Sequence, residues 1–204
     1  MQKCSSDYVV QYLRLILTWG DDMKKVLLLG DSIRMGYEPL VRENLQGLAE
    51  VVAPEENGRF AKYTLWGVNL WIRDLGKPDI VHWNNGLWDL HHEAPMVEAL
   101  TSLEEYLETL RRIINELKRT GAKIIFATTT PVAQDATGRS NAEIEKYNLA
   151  AIELMKRNDV EVNDLYSVVY EDLEGNICED KLHLSEKGNR LCAEKVTEII
   201  RKYL

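Results

Sequence analysis

The chain has 204 residues, 45% hydrophobic and 28% charged, enough apolar material for one domain with a substantial core. Its 33 acidic and 25 basic residues leave a net charge of −8, and the Lys and Arg are scattered rather than clustered, which argues against a nucleic-acid partner. No apolar stretch reaches membrane-spanning length, and Cys4, Cys178 and Cys192 have neither metal-ligand spacing nor an even count, so the expectation is a reduced, cytoplasmic protein without a membrane partner.

Residues 1–22 read as an N-terminal extension ahead of a domain spanning 23–204. The segment Val9–Trp19 has an Arg in its middle and no small-residue cleavage site after it, which makes a poor signal peptide. Met23 heads a second start, and the codons of Trp19 and Gly20 impose a run of G a few nucleotides upstream of it, as a bacterial ribosome-binding site does. Residues 1–22 are then a mis-assigned start; the alternative is an extra amphipathic helix over 6–19.

Val26–Leu29 is an apolar run bounded by charge and glycine, the pattern of a strand covered on both faces. A helix is predicted over 38–45, a short strand over 50–53, and a helix over 63–75 with Leu65, Val68, Trp71 and Ile72 on one face. A third strand follows at 79–83, a strongly periodic helix at 102–119 and a fourth strand at 123–128. The remaining elements are a helix at 141–156, a strand at 160–162 and a closing helix at 185–203 with Ser185 as its N-cap. Strands alternating with helices across short loops predict one α/β domain with a parallel sheet covered on both sides.

The turn Gly30-Asp31-Ser32 ends the first strand. Asp31 or Ser32 there can cap the following helix. In open α/β sheets, however, ligands collect at the carboxyl ends of strands, where free N–H groups favour developing negative charge. An attacking hydroxyl belongs in that place, provided the chain also supplies a base. Asp180 and His183, three apart in EDKLHLSEKGNR, suit that need: a carboxylate at this spacing holds one imidazole N–H while the other ring nitrogen takes a proton.

The Gly30-Asp31-Ser32 turn and the Asp180-Lys181-Leu182-His183 stretch together resemble the first and last sequence blocks of the SGNH (GDSL) hydrolases. The likeness runs through the chain from Met23 onward. It implies a flavodoxin-like three-layer α/β/α sandwich with a five-stranded parallel sheet, hydrolysis of esters or thioesters, and no metal or organic cofactor. It also implies that Ser32 is the nucleophile, His183 the general base and Asp180 its orienting partner. The family's oxyanion hole adds a glycine and an asparagine to the nucleophile's own N–H. Gly58, in PEENGRF, suits the glycine; an ordinary turn is the other reading of Asn57-Gly58.

The asparagine block departs from the pattern. Family members show G-x-N-D after the third strand, whereas VHWNNGLWDL has Gly86 and Asp89 in place but Trp88 where asparagine is expected. Asn85 is the preferred substitute donor, with Asn84 as the alternative. The stretch resembles the N-x-x-L-W-D variant of SGNH-like PC-esterases. Trp88 and Trp66 are placed as pocket-lining rings, and Arg59 as a reader of polar substrate groups. Asp89, His91, His92 and Glu93 are read as a solvated loop rather than a metal site, because adjacent histidines diverge and no second ligand group appears. His82 reads as a core histidine or a pocket wall.

The resulting expectation is a serine esterase acting on small acyl groups, acetyl foremost, of a carbohydrate or similar polar small molecule. A non-catalytic or slow binding protein on the same fold, and an acyltransferase or thioesterase, are the alternatives.

Overall fold

The computed structural model describes residues 23–204, so both readings of residues 1–22 lie outside the described residues. Five strands form one sheet: β1 (Lys25–Leu29), β2 (Glu50–Val52), β3 (Ile80–Trp83), β4 (Lys123–Ala127) and β5 (Glu161–Asn163). Their order is β2-β1-β3-β4-β5, and every pairing is parallel. In β1, Val26 to Leu29 are all buried, and so is the whole of β3, because helices cover both sheet faces. This is the expected flavodoxin-like arrangement.

Helices α1 (Ser32–Asn44) and α7 (Glu186–Arg201) pack together on one side of the sheet. On the other side, α2 (Ala61–Leu75) packs on α3 (Leu103–Lys118), and α3 packs on α4 (Asn141–Arg157). Two short helices missed by periodicity, α5 (Leu165–Tyr170) and α6 (Leu173–Asn176), pack against α7. They are too short for a 3.6-residue repeat to register.

Capping explains most of the helix boundaries. Ser102 and Glu105 form a reciprocal capping box at α3, Ser140 accepts from the Glu143 N–H at α4, and Ser185 accepts from the Gly188 N–H at α7. The first helix begins six residues earlier than the periodicity predicts, because Asp31 accepts from the Ile33 N–H at 3.0 Å and starts the helix at Ser32.

Chain connections leave β1 in one direction toward β2 and return to β3 on its other side. The reversal creates a crevice between the carboxyl ends of β1 and β3, the place where doubly wound sheets bind ligands. Leu29 pairs with Trp83 at this end, so Gly30-Asp31-Ser32 and Asn84-Asn85-Gly86 emerge side by side.

Candidate active site

Ser32 is the first residue of α1 and is half-buried. The two readings of its turn turn out to be compatible: Asp31 supplies the cap, and the Ser32 hydroxyl is left available. In the tautomer that keeps the His183 Nδ1–H toward Asp180, the Ser32 O–H donates to His183 Nε2 at 2.9 Å. The Nδ1–H donates to Asp180 Oδ2 at 2.6 Å. The residues picked from two distant sequence blocks are thus brought into one hydrogen-bonded chain.

The Asp180–His183 turn is held from within. Asp180 Oδ1 accepts the Leu182 N–H at 3.1 Å and the His183 N–H at 2.9 Å. Lys181 takes a left-handed φ of 69°, which lets the turn close this tightly. The Cys178 N–H donates to the His183 carbonyl at 2.7 Å, and the Ala133 N–H to the Lys181 carbonyl at 3.0 Å. The His183 ring N–H, with the His183 and Leu182 backbone N–H donors, holds the Asp180 carboxyl down to a pKa of about 2. It is therefore a carboxylate at any neutral or mildly acidic pH.

The candidate oxyanion donors Asn85 and Gly58 are engaged within the fold. Asn85 is fully buried; its Oδ1 accepts the Trp83 indole N–H at 2.7 Å, and its Nδ2 donates to the Arg59 carbonyl at 3.0 Å. Engaged at both ends and closed to solvent, it braces the Arg59 loop instead of presenting an amide to the open site. Asn84 is the asparagine that borders the nucleophile turn: its Nδ2 donates to Asp31 Oδ1 at 3.3 Å, and its Oδ1 is buried without a partner. A Cβ on Gly30 would meet that oxygen at 2.1 Å, so glycine there is what lets Asn84 approach.

The Gly58 N–H is likewise committed, donating to the Gly30 carbonyl at 2.9 Å. A Cβ on Gly58 would lie 2.6 Å from that oxygen, so the glycine is needed for close approach of two backbones rather than for a free donor. The Ser32 N–H, in contrast, has no hydrogen-bond partner among the described residues.

The Arg59 side chain is exposed, with its guanidinium 5.0 Å over the Tyr63 ring on α2. Trp88 is half-buried in the loop after β3, and Trp66 is 63% exposed on α2. His91 and His92 diverge: His91 pairs with Glu93 at 2.7 Å, and His92 with Glu143 at 2.9 Å. Among the described residues no group of three acidic, His or Cys side chains is placed to hold a metal ion. His82 is a core histidine, fully buried beside Tyr37, and burial pushes its pKa down to about 3.

Asp89 has a role that the sequence did not disclose. Both of its oxygens accept the Ala61 N–H, at 3.1 and 3.0 Å, so it caps α2 from the loop after β3. Burial raises its pKa to about 7, with the Ala61 and Thr101 bonds pulling the other way. The cap lies 28 positions along the chain from the helix it serves, so no local motif reveals it.

A parallel α/β sandwich with a serine, histidine and aspartate chained at its switch point has the make-up of a serine hydrolase. Comparison with known proteins narrows the class: the chain belongs to the GDSL-like Lipase/Acylhydrolase family, whose model matches residues 28–191. A GDSL esterase/lipase of Oryza sativa subsp. japonica, WDL1, is 27% identical over 115 residues, 49% of this chain and 44% of that protein. The chain thus matches less than half the length of that curated relative. The lipase/acylhydrolase of Enterococcus faecalis shares the fold with a TM-score of 0.78 at 23% identity, over 89% of this chain and 97% of that one. An acetylxylan esterase from Geobacillus stearothermophilus superposes with a TM-score of 0.74 at 19% identity, over 87% and 94% of the two chains. The family match does not single out the PC-esterase variant.

Proposed function

We propose that the protein is a serine esterase that removes small acyl groups, acetyl foremost, from a carbohydrate or a similarly polar alcohol. The observation that carries this reading is the chain from the Ser32 hydroxyl through His183 to Asp180 at the switch point of the sheet. Ser32 Oγ attacks the ester carbonyl carbon while His183 Nε2 takes its proton. The oxyanion forms against the Ser32 N–H at the N-terminus of α1, with the Asn84 amide, whose second N–H is not bound by Asp31, reaching it from the loop after β3. Collapse expels the alcohol, which receives its proton from His183. Water, deprotonated by the same nitrogen, then attacks the acyl-serine, and the carboxylic acid leaves. Asp180 stays ionised throughout and offsets the imidazolium charge.

The acetyl preference draws support from the acetylxylan esterase that shares the fold, and the carbohydrate from the exposed Trp66 indole on α2 and the Arg59 guanidinium next to Gly58. Labelling with a fluorophosphonate tests the nucleophile without a substrate guess. Wild type is expected to bond through Ser32 and to hydrolyse p-nitrophenyl acetate, and Ser32→Ala to do neither while remaining folded. A folded wild-type protein that is inert to the probe favours the binding-protein alternative; activity retained in Ser32→Ala overturns the mechanism.

A further inference from the structure

Arg139 differs from the other basic side chains that burial touches. It lies in the loop after β4, half-buried, and its Nε–H donates to the Leu87 carbonyl at 2.7 Å. That bond fastens the guanidinium to the loop after β3, three residues beyond Asn84. Among the described residues it is the only hydrogen bond Arg139 makes, and Arg139 belongs to no ion pair there. Four of its five N–H donors have no acceptor among the described residues.

Arg34 shows how this fold treats a buried guanidinium that has a purely structural task. It is buried, pairs with Glu38, and donates to the Glu56 carbonyl at 2.8 Å. Arg139 is given no such carboxylate. Asp31 and Glu93 are the opposing charges near enough to act on it; neither is hydrogen-bonded to it, although Asp31 Oδ2 is buried without a partner. Asp31 Oδ1 accepts from Ile33 and Asn84, and Glu93 Oε2 is bound to the His91 ring. A cation drawn out of water without a partner is unfavourable unless a ligand completes it.

We propose that Arg139 recognises a carboxylate on the alcohol side of the ester, so that the substrate is an O-acylated hydroxy acid, such as an acetylated uronic acid. The inference rests on the esterase reading above, in which a small acyl group leaves no room for the charge on the acyl side. The planar guanidinium fork suits bidentate contact with a carboxylate. The location suits it too, since Arg139 lies in the loop after β4 and is bonded to the loop after β3, which borders the β1–β3 crevice. With a net charge of −8 the molecule as a whole repels anions, so an anionic substrate needs a local cation beside the nucleophile.

The test compares acetate release from O-acetylated glucuronic acid and from its carboxamide, which differ in charge and little else. Wild type is expected to prefer the acid by about tenfold or more in kcat/KM, with the difference carried by KM. In Arg139→Gln that preference should fall close to one, and Arg139→Lys, which keeps the charge but loses the fork, should fall between. Thermal midpoints and fluorophosphonate labelling of Ser32 report whether the variants are folded. No preference in wild type overturns the proposal, as does an equal loss on both substrates in Arg139→Gln, which would mean that the side chain only braces Leu87. In either case hydrolysis of the carboxamide leaves the esterase reading intact. If wild type cleaves neither substrate and Ser32 ignores the probe, the esterase reading fails and this inference with it.

Discussion

A nucleophilic serine that also caps a helix would have its oxygen engaged by backbone N–H groups, and here the neighbouring Asp31 removes that conflict. The same division of labour runs through the site. Asp180 orients His183 with one oxygen and stabilises its own turn with the other. Replacing it by asparagine keeps the shape but loses the charge that offsets the imidazolium, so kcat of Asp180→Asn is expected to fall by roughly 10³- to 10⁴-fold with KM little changed. A fall of less than tenfold in p-nitrophenyl acetate turnover would remove Asp180 from the triad. The two asparagines separate in the same assay. Asn84→Ala is expected to lower kcat by roughly 10²-fold through loss of an oxyanion donor. Asn85→Ala should chiefly lower stability, by about 1–3 kcal/mol, because it strands the Trp83 indole N–H and the Arg59 carbonyl. Urea melts beside steady-state kinetics distinguish them, and the reverse pattern would return the oxyanion role to Asn85.

At the scale of elements, the loops at the carboxyl edge are held to one another more than to their own strands. The turn before α2 is tied to β1 through Gly58 and Gly30, and to the loop after β3 through Asn85 and Asp89. Gly58→Ala puts a methyl group 2.6 Å from a main-chain oxygen that cannot swing aside, so the two loops must separate. Loss of both stability and esterase turnover is expected, and an unaltered melt would show that the turn is softer than its packing implies. Helix α3 makes the contrasting case. Tyr106, Leu110, Ile113, Ile114 and Leu117 are buried along one stripe, so its existence and its Ser102 start follow from a 3.6-residue repeat and a capping box. Leu110→Ala there should cost about 2–5 kcal/mol with the site's chemistry untouched. Elements carrying their own periodicity and caps were legible in the sequence, as were the two blocks that hold Ser32, Asp180 and His183. The partners of Asn85, Asp89 and Arg139 were not legible, because the Arg59 carbonyl, the Ala61 N–H and the Leu87 carbonyl each lie far along the chain from the residue they bind. A register one residue off at the end of β3 exchanges the faces of Asn84 and Asn85, and sequence spacing alone does not set that register.

Across the whole molecule, ionisable groups with shifted pKa values set opposing limits on stability. His82, lowered to about 3 by burial, refuses a proton that the unfolded chain accepts below the ordinary histidine value of 6.5. Its contribution is full above about pH 6.5 and is lost as pH falls toward 3. Asp180, lowered to about 2, adds to the same acid limb, its contribution being lost as pH falls from about 4 toward 2. Asp89 acts in the opposite sense: its folded pKa of about 7 lies above the ordinary aspartate value of 3.8, so the folded state keeps a proton that the unfolded chain releases. Stability from this group is greatest below about pH 4 and declines as pH rises toward 7. Asp89→Asn leaves an oxygen to accept the Ala61 N–H but no charge to bury, so it should remove the Asp89 share of the alkaline decline, leaving that of buried Asp31, without touching the acid one. The melting midpoint of Asp89→Asn relative to wild type is therefore expected to rise by several degrees between pH 4 and pH 8, given about 2–4 °C per kcal/mol for a domain of this size. Parallel curves across that range would show that the Ala61 and Thr101 bonds, rather than burial, govern Asp89, and that it caps α2 as an ordinary carboxylate.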